Sequence, residues 1–443
     1  MLRRRADPGA LSIRVCPGAD SATVENAAAA ARAFIASYGL SAPEGEAASL
    51  LAASDQCMRM AYYDAALEWA AHGRSMVDPA AAPEEYGKLT RNMLFALLLL
   101  GRHGEAEAIS RAAQAQPADP ALLAHATYAM AILNVRLYDA ARRDYDAAMA
   151  WIEQSLAFTD RLPPSETRAV NHAFLMNTRA LVEMRKGRDL AALELMDAAL
   201  AYMAREAPAK YPLECGILLH NRARLHVAAG RTAAAIGDLT RLLEVEPSNS
   251  EAYFDRGLIQ QRAGRHDAAL EDYERAIRCS PPYWQPHFNR AQVLTALGRA
   301  EEAVAAYDRV LVLHPEHLET RVNRGRLHFE LDHPEAAGRD AAEALSLDEG
   351  NAPALCLRGL LAIRQRDFDA AGRYLSAAIA ADPQLADAWA NRATVHFRTG
   401  MLDAARADIE RAALLRPDTD ILHNRGRILE ACAARKGRRN ARP

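Results

Sequence analysis

The sequence predicts an all-α protein, a solenoid of repeated antiparallel helix pairs, and three observations predict it. A motif centred on an arginine returns every 34 residues through the second half of the chain. An alanine follows the motif at a constant distance in each copy, and a proline closes most copies. A fixed period of this length indicates one helix pair repeated, with each pair burying its apolar face against the next.

The copies of the motif share a polar residue, an arginine and a small residue. They are Asn221-Arg222-Ala223, Asp255-Arg256-Gly257, Asn289-Arg290-Ala291, Asn323-Arg324-Gly325, Leu357-Arg358-Gly359 and Asn391-Arg392-Ala393. An eroded copy, Asn424-Arg425-Gly426, follows one residue early, as expected where an array meets its end cap. The alanines stand at 235, 269, 303, 337, 371 and 405. Small residues allow two helices to touch closely, and a proline ends the second helix.

These residues resemble the tetratricopeptide repeat family. The resemblance implies a right-handed superhelix of antiparallel helix pairs, with a concave groove lined by the first helix of each pair and used for binding other proteins. Residues 250–417 are predicted to form five regular repeats, and residues 419–443 a cap helix with a basic tail.

Residues 44–248 are predicted to hold about five longer pairs of the same kind. Their close-packing alanines are Ala66, Ala106, Ala148 and Ala192, at steps of 40 to 44 residues. This half resembles the long-helix variant of the family found in kinesin light chains and peptide-sensing bacterial regulators. Residues 1–43 are predicted to form an irregular arm followed by a lead-in helix.

The composition disfavours several classes of partner and site. The net charge of -3 does not favour nucleic acid or an anionic membrane as a partner. The most apolar run is too short to span a bilayer, and no export signal follows the basic N-terminus. The six cysteines include no CxxC pair, which favours reduced thiols in a cytoplasm over a disulfide or zinc framework.

No catalytic motif that we tested for is present, including HExxH, GxSxG and phosphate-binding glycine loops. The sequence therefore predicts a protein that is not an enzyme and holds neither metal nor cofactor. His226, His328 and His396 occupy the same place in their repeats. Their predicted spacing is too wide for one metal ion, so they are interpreted as packing residues.

The arginines of the motif are predicted to be structural. Several repeats carry an aspartate sixteen residues after the arginine, at Asp238, Asp272, Asp340 and Asp408. An arginine on the first helix and an aspartate on the second can satisfy each other where the helices meet. Arg290 and Arg358 lack this aspartate.

The first residue of the motif, called here the ladder position, is the predicted binding site. In the family this place faces the concave groove, and some members, including the O-linked N-acetylglucosamine transferase superhelix, bind peptide backbone with an asparagine ladder there. A carboxamide both donates and accepts, so it can pair with a peptide C=O and N–H. The alternative is that asparagine is simply common at this place. The predicted peptide-binding residues are Asn221, Asn289, Asn323, Asn391, Arg224 and Arg326.

Two functions remain open at this stage. The first is a scaffold or adaptor whose groove binds an extended peptide segment of a partner protein. The second is an accessory subunit that presents a substrate to a separate enzyme.

Overall fold

The computed structural model describes residues 47–59, 63–115, 119–137, 142–208, 214–279 and 283–440. The predicted N-terminal arm and lead-in helix lie outside the described residues. Within those ranges the chain is helical and contains no strand, so the all-α prediction is confirmed. The described residues group into two compact units, the first within Met1–Ala263 and the second within Gly264–Pro443.

The first unit contains eleven helices in the described residues. They are α1 (Ala47–Arg59), α2 (Tyr63–Met76), α3 (Pro83–Leu99), α4 (His103–Gln114), α5 (Pro120–Ile132), α6 (Tyr145–Asp160), α7 (Glu166–Arg185), α8 (Asp189–Glu206), α9 (Gly216–Ala228), α10 (Thr232–Val245) and α11 (Ser250–Arg262).

The second unit contains ten helices in the described residues. They are α12 (His266–Arg278), α13 (Trp284–Ala296), α14 (Ala300–Leu313), α15 (Leu318–Glu330), α16 (Pro334–Leu347), α17 (Ala352–Arg364), α18 (Phe368–Ala381), α19 (Ala386–Arg398), α20 (Leu402–Leu415) and α21 (Thr419–Asn440). Short turns join α13 to α14, α15 to α16, α17 to α18 and α19 to α20. The two helices of each of these pairs pack along one another.

The repeated alanines form the centre of the core in both units. All ten are completely buried: Ala66, Ala106, Ala148, Ala192, Ala235, Ala269, Ala303, Ala337, Ala371 and Ala405. In the second unit a large side chain four residues later is buried as well, as with Tyr273 and Ile409. A methyl group is the largest side chain that lets two helix backbones approach this closely, which explains why the position keeps alanine through two repeat lengths.

One helix of the first unit is shorter than the repeat pattern predicts. The sequence favours a helix over 121–142, but α5 ends at Ile132 and continues as a π-helical turn, Leu133–Leu137. The buried Asn134 donates its Nδ2 to the Met130 carbonyl within this stretch. A π-helical turn changes the pattern of backbone hydrogen bonds. It changes the spacing of apolar residues only slightly, so the sequence pattern does not reveal it.

The turn at one fixed place of the 34-residue repeat contains a residue in the left-handed conformation. Gly264, Gly298 and Gly400 supply it at equivalent places, with φ between +71° and +80°. Asp332 and Arg366 occupy the same place in the two intervening repeats, with φ of 62° and 60°. A side chain with a β-carbon is strained in this conformation, and aspartate tolerates it better than arginine.

We therefore expect Arg366→Gly to stabilise the protein by about 0.5–1 kcal/mol, because glycine adopts this backbone without strain. Gly298→Ala is the matched control and should destabilise by about 1 kcal/mol for the same reason. Chemical denaturation followed by circular dichroism measures both. An Arg366→Gly variant less stable than wild type would contradict this account of the turn.

Candidate functional site: the ladder positions

The ladder asparagine of the first unit lies inside the protein. Asn221, on α9, is 6% exposed and donates its Nδ2 to Asn177 Oδ1 of α7 at 2.8 Å. This places the predicted binding residue in a packing role. Arg224, on the same helix, is exposed to solvent.

Asn221 is one member of a buried row that the sequence analysis missed. Asn92, Asn134, Asn177 and Asn221 are all buried and follow one another at steps of 42, 43 and 44 residues. Asn92 donates to Asp55 Oδ1 at 2.7 Å and to Ser54 Oγ at 3.2 Å. The signal was present, because these steps match the spacing of the alanines in the long repeats. Buried carboxamides that find hydrogen-bond partners inside the protein leave little capacity for a ligand.

The ladder positions of the second unit differ in exposure. Asn289 on α13 and Asn323 on α15 are both half-buried. Within the described part of the chain, the Asn289 carboxamide makes no hydrogen bond. Asn323 shares a hydrogen bond with the buried Tyr307 hydroxyl, which also bonds Thr295, and burial raises the pKa of Tyr307. A carboxamide offers two donors and two acceptor lone pairs, so Asn323 keeps capacity for a ligand after this contact.

The row is interrupted on α17 and resumes on α19. Leu357 takes the ladder position of α17 and is 3% exposed. On α19, Asn391 Nδ2 lies 3.4 Å from the sulfur of the buried Cys356. Burial raises the pKa of that thiol to about 11, so it is neutral at ordinary pH. Asn289 and Asn323 are therefore the two ladder asparagines that lie on the first helices of successive helix pairs.

The charged side chains near these asparagines are mixed in sign. Arg326, one turn after Asn323 on α15, is largely exposed and its Nε lies 3.5 Å from Glu330 Oε1. Glu319, at the start of the same helix, is exposed. Asp387 at the start of α19 pairs with Arg416. An exposed pair such as Arg326 and Glu330 is weak, which leaves Arg326 able to meet a ligand carboxylate.

The motif arginines pair with aspartates as predicted in three repeats. Arg222 Nε donates to Asp238 at 2.7 Å, Arg324 Nε to Asp340 at 2.9 Å, and Arg392 Nε to Asp408 at 2.8 Å. The three aspartate side chains are at most 8% exposed. These hydrogen bonds raise the pKa of Arg222 and Arg324, as expected when a buried carboxylate stabilises a cation.

The remaining motif arginines have other neighbours. Arg290 lies 3.5 Å from Glu274, and Arg358 donates to the Tyr374 hydroxyl at 3.2 Å. Arg256 donates to Thr240 Oγ1 at 2.9 Å. Its predicted partner Asp272 belongs to the second compact unit, so that pairing stays a prediction.

The histidines at the repeated place lie beside the same aspartates. His226 Nε2 is 3.7 Å from Asp238, and His396 Nε2 is 3.5 Å from Asp408. Burial is the largest cause that lowers the pKa of His226 and of His328. Over the described ranges, no three side chains of metal-binding type come together as a metal site would require.

A known family of sequence repeats matches the second half of the chain. The sequence model of the tetratricopeptide repeat matches residues 220–283, 288–352 and 356–420. This region of the chain consists of tetratricopeptide repeats, as the motif analysis predicted. Repeats of this family serve as scaffolds for protein interaction. No curated protein matches the chain in sequence.

Several solved structures are similar. A tetratricopeptide repeat protein from Parabacteroides merdae is 27% identical over 50% of this chain and 88% of its own, with a TM-score of 0.45. YrrB, described as a protein of this type with an unusual peptide-binding site, is 18% identical over 44% of this chain and 97% of its own, with a TM-score of 0.35. A chain of the APC/C hetero-tetramer Cut9–Hcn1 is 13% identical over 86% of this chain and 96% of its own, with a TM-score of 0.41.

None of the described helices combines the length and the apolar character that crossing a bilayer requires.

Proposed function

We propose that this protein is a non-enzymatic scaffold or adaptor whose second unit binds an extended segment of a partner protein through Asn289 and Asn323. The observation that supports the proposal is a contrast in burial. Asparagine at the ladder position is buried and bonded in the first unit, as at Asn221, but half-buried on α13 and α15.

The chemistry of the two carboxamides fits a peptide backbone. Helices that pack directly lie roughly 8–10 Å apart, and we propose a similar spacing for α13 and α15, which belong to successive repeats. An extended chain advances about 3.3 Å per residue. The two asparagines can therefore bind ligand residues that are about three positions apart. Each carboxamide would donate to a backbone carbonyl of the ligand and accept from a backbone N–H. Recognition of this kind reads backbone rather than side chains and tolerates many partner sequences.

The surroundings define the character of the segment. Gln285, Gln292 and Thr295 accompany Asn289 on α13 and are neutral and half-buried. Arg326 is the exposed cation nearest along α15 to Asn323. We therefore propose a polar segment with at most a modest acidic character as the ligand, in a cytoplasmic setting.

Replacing Asn289 and Asn323 together with alanine should weaken partner binding by about 1–3 kcal/mol, because unpaired polar groups remain on the ligand. A phage-displayed library of random peptides selected on the full chain supplies the ligand. Isothermal titration of a selected peptide then measures the loss.

The matched control is Asn221→Ala, which changes the same residue type at the same place in the repeat. It should lower stability by about 1–2 kcal/mol, because Asn177 loses its partner inside the protein, and leave peptide affinity unchanged. Peptides that bind the double variant as tightly as wild type, with the fold intact, would rule out the two asparagines as the site.

A further inference from the structure

The first turn of α15 is capped by a histidine. His317 Nδ1 accepts a hydrogen bond from the Thr320 backbone N–H at 3.2 Å, and the Thr320 hydroxyl oxygen lies 2.7 Å from the same nitrogen. Thr320 is completely buried. The imidazole therefore satisfies one of the backbone N–H groups that a helix start leaves without a partner.

The equivalent caps in other repeats do not titrate. Asn249 lies 68 residues before His317 and Asn351 lies 34 residues after it, which is the same place of the 34-residue repeat. Their side chains accept hydrogen bonds from the backbone N–H groups of Ala252 and Ala354, each at 3.0 Å. At the start of α13 the residue in the place of Thr320 is Pro286, which has no N–H to cap. Two copies of the repeat therefore place an asparagine acceptor here, and in a third the acceptor is the His317 imidazole, whereas Leu385 at the start of α19 makes no side-chain cap.

Three elements surround the His317 ring. From α13, the rings of Trp284 and Phe288 lie 4.4 and 5.1 Å away between centroids, and both are uncharged. The His314 ring, just after α14, lies at 5.3 Å between centroids, and Glu319 is the charged group of α15 that acts on the His317 ring. Burial lowers the pKa of His317, His314 lowers it further, and Glu319 opposes them.

Protonation of this ring is incompatible with the cap. A neutral imidazole with its proton on Nε2 offers the Nδ1 lone pair to the Thr320 amide, whereas an imidazolium carries a proton on both nitrogens. The Thr320 hydroxyl can turn and accept from the new N–H, but the backbone amide is left without an acceptor. The positive charge also lies at the positive end of the helix dipole.

We propose that His317 is a pH-dependent N-cap, whose protonation loosens the first turn of α15. A histidine whose pKa is lower in the folded state than in the unfolded state stabilises the fold when it is neutral. This stabilisation is fully present above the pKa of the unfolded state, about 6.5. That stability is lost as the pH falls through the lower folded value. Because α15 also carries Asn323 and Arg326, acidification should weaken partner binding, a consequence that rests on the proposed function.

The test uses the full chain without any partner, so its failure is separate from failure of the proposed peptide site. Hydrogen exchange resolves the Thr320 amide at about pH 7.5 and about pH 5.5, on either side of an ordinary histidine pKa. In the wild type we expect the protection of this amide, corrected for intrinsic exchange, to fall by roughly fivefold at the lower pH, as for a lost N-cap.

Two variants make the result specific. His317→Asn should keep the protection at both pH values, because asparagine caps the equivalent helices. His317→Ala should show low protection at both. If His317→Asn loses protection on acidification as the wild type does, or if His314→Asn abolishes the response while His317 is intact, the proposal is overturned.

Discussion

Arg324→Ala should lower the free energy of unfolding by about 3 kcal/mol, because it leaves a buried carboxylate without its cation. The Asp340 side chain is 3% exposed and accepts two hydrogen bonds from the Arg324 guanidinium. Asp340→Ala should cost less, about 2 kcal/mol, because Arg324 keeps its second partner, Asp308, at 2.7 Å. Urea denaturation of the single variants and the double variant measures these differences.

The double variant should lose less than the sum of the two single variants, because residues in contact are not additive. Arg358→Ala is the matched control, since the same arginine in another repeat meets the Tyr374 hydroxyl instead of a carboxylate. Its loss should be smaller, about 1 kcal/mol, because no buried carboxylate is left without a cation. Additive losses at 324 and 340, or an equal loss at 358, would contradict a structural ion pair.

The second large effect is expected at the C-terminal helix. In α21, Ile421 and Ile428 are each 3% exposed and pack against a cluster that includes Ala405, Ile409 and Ala412. Ile428→Ala should cost about 2–4 kcal/mol by leaving a cavity under the helix. Leu422→Ala, on the same helix but 46% exposed, should change stability by less than about 1 kcal/mol.

Removing residues 419–443 should have a larger consequence. The apolar face of α19 and α20 would then meet water, and terminal repeats need a polar cover to stay soluble. We expect self-association in analytical ultracentrifugation and a lower melting temperature. A monomer with an unchanged melting curve would show that α21 does not act as a cap.

The repeated fold was predictable because its constraints act at a fixed spacing. Close approach of two helices requires a small residue at one place, and all ten alanines predicted there are completely buried. The ion pairs of Arg222, Arg324 and Arg392 were predictable for the same reason, since both partners recur sixteen residues apart.

The exposure of the candidate site was not predictable in the same way. Asn221 and Asn323 occupy the same place in the motif, yet Asn221 is buried against Asn177 of the preceding long repeat and Asn323 is half-buried. Burial depends on the neighbouring repeat, and for Asn221 that neighbour belongs to the long repeats, in which Asn92, Asn134, Asn177 and Asn221 recur at steps of 42 to 44 residues. The sequence pattern predicts which residue types recur, but it does not predict how deeply each of them is buried.

The His317 cap illustrates a further limit of pattern reading. Histidine is an uncommon cap, and the preferred capping residues are asparagine, aspartate and serine. The capping role of His317 follows from its geometry, because its Nδ1 lies 3.2 Å from the Thr320 backbone nitrogen. The equivalent places, Asn249 and Asn351, could have indicated it, because they put a capping residue at that point of the 34-residue register.

The most direct test of the proposed binding site observes the asparagine side chains themselves. The full chain with nitrogen-15 in asparagine alone gives NMR signals for each carboxamide NH₂, assigned by replacing one asparagine at a time. Adding a selected peptide should shift the signals of Asn289 and Asn323 and leave that of the buried Asn221 in place. A bound peptide that leaves the Asn289 and Asn323 signals unmoved would contradict recognition through these two residues.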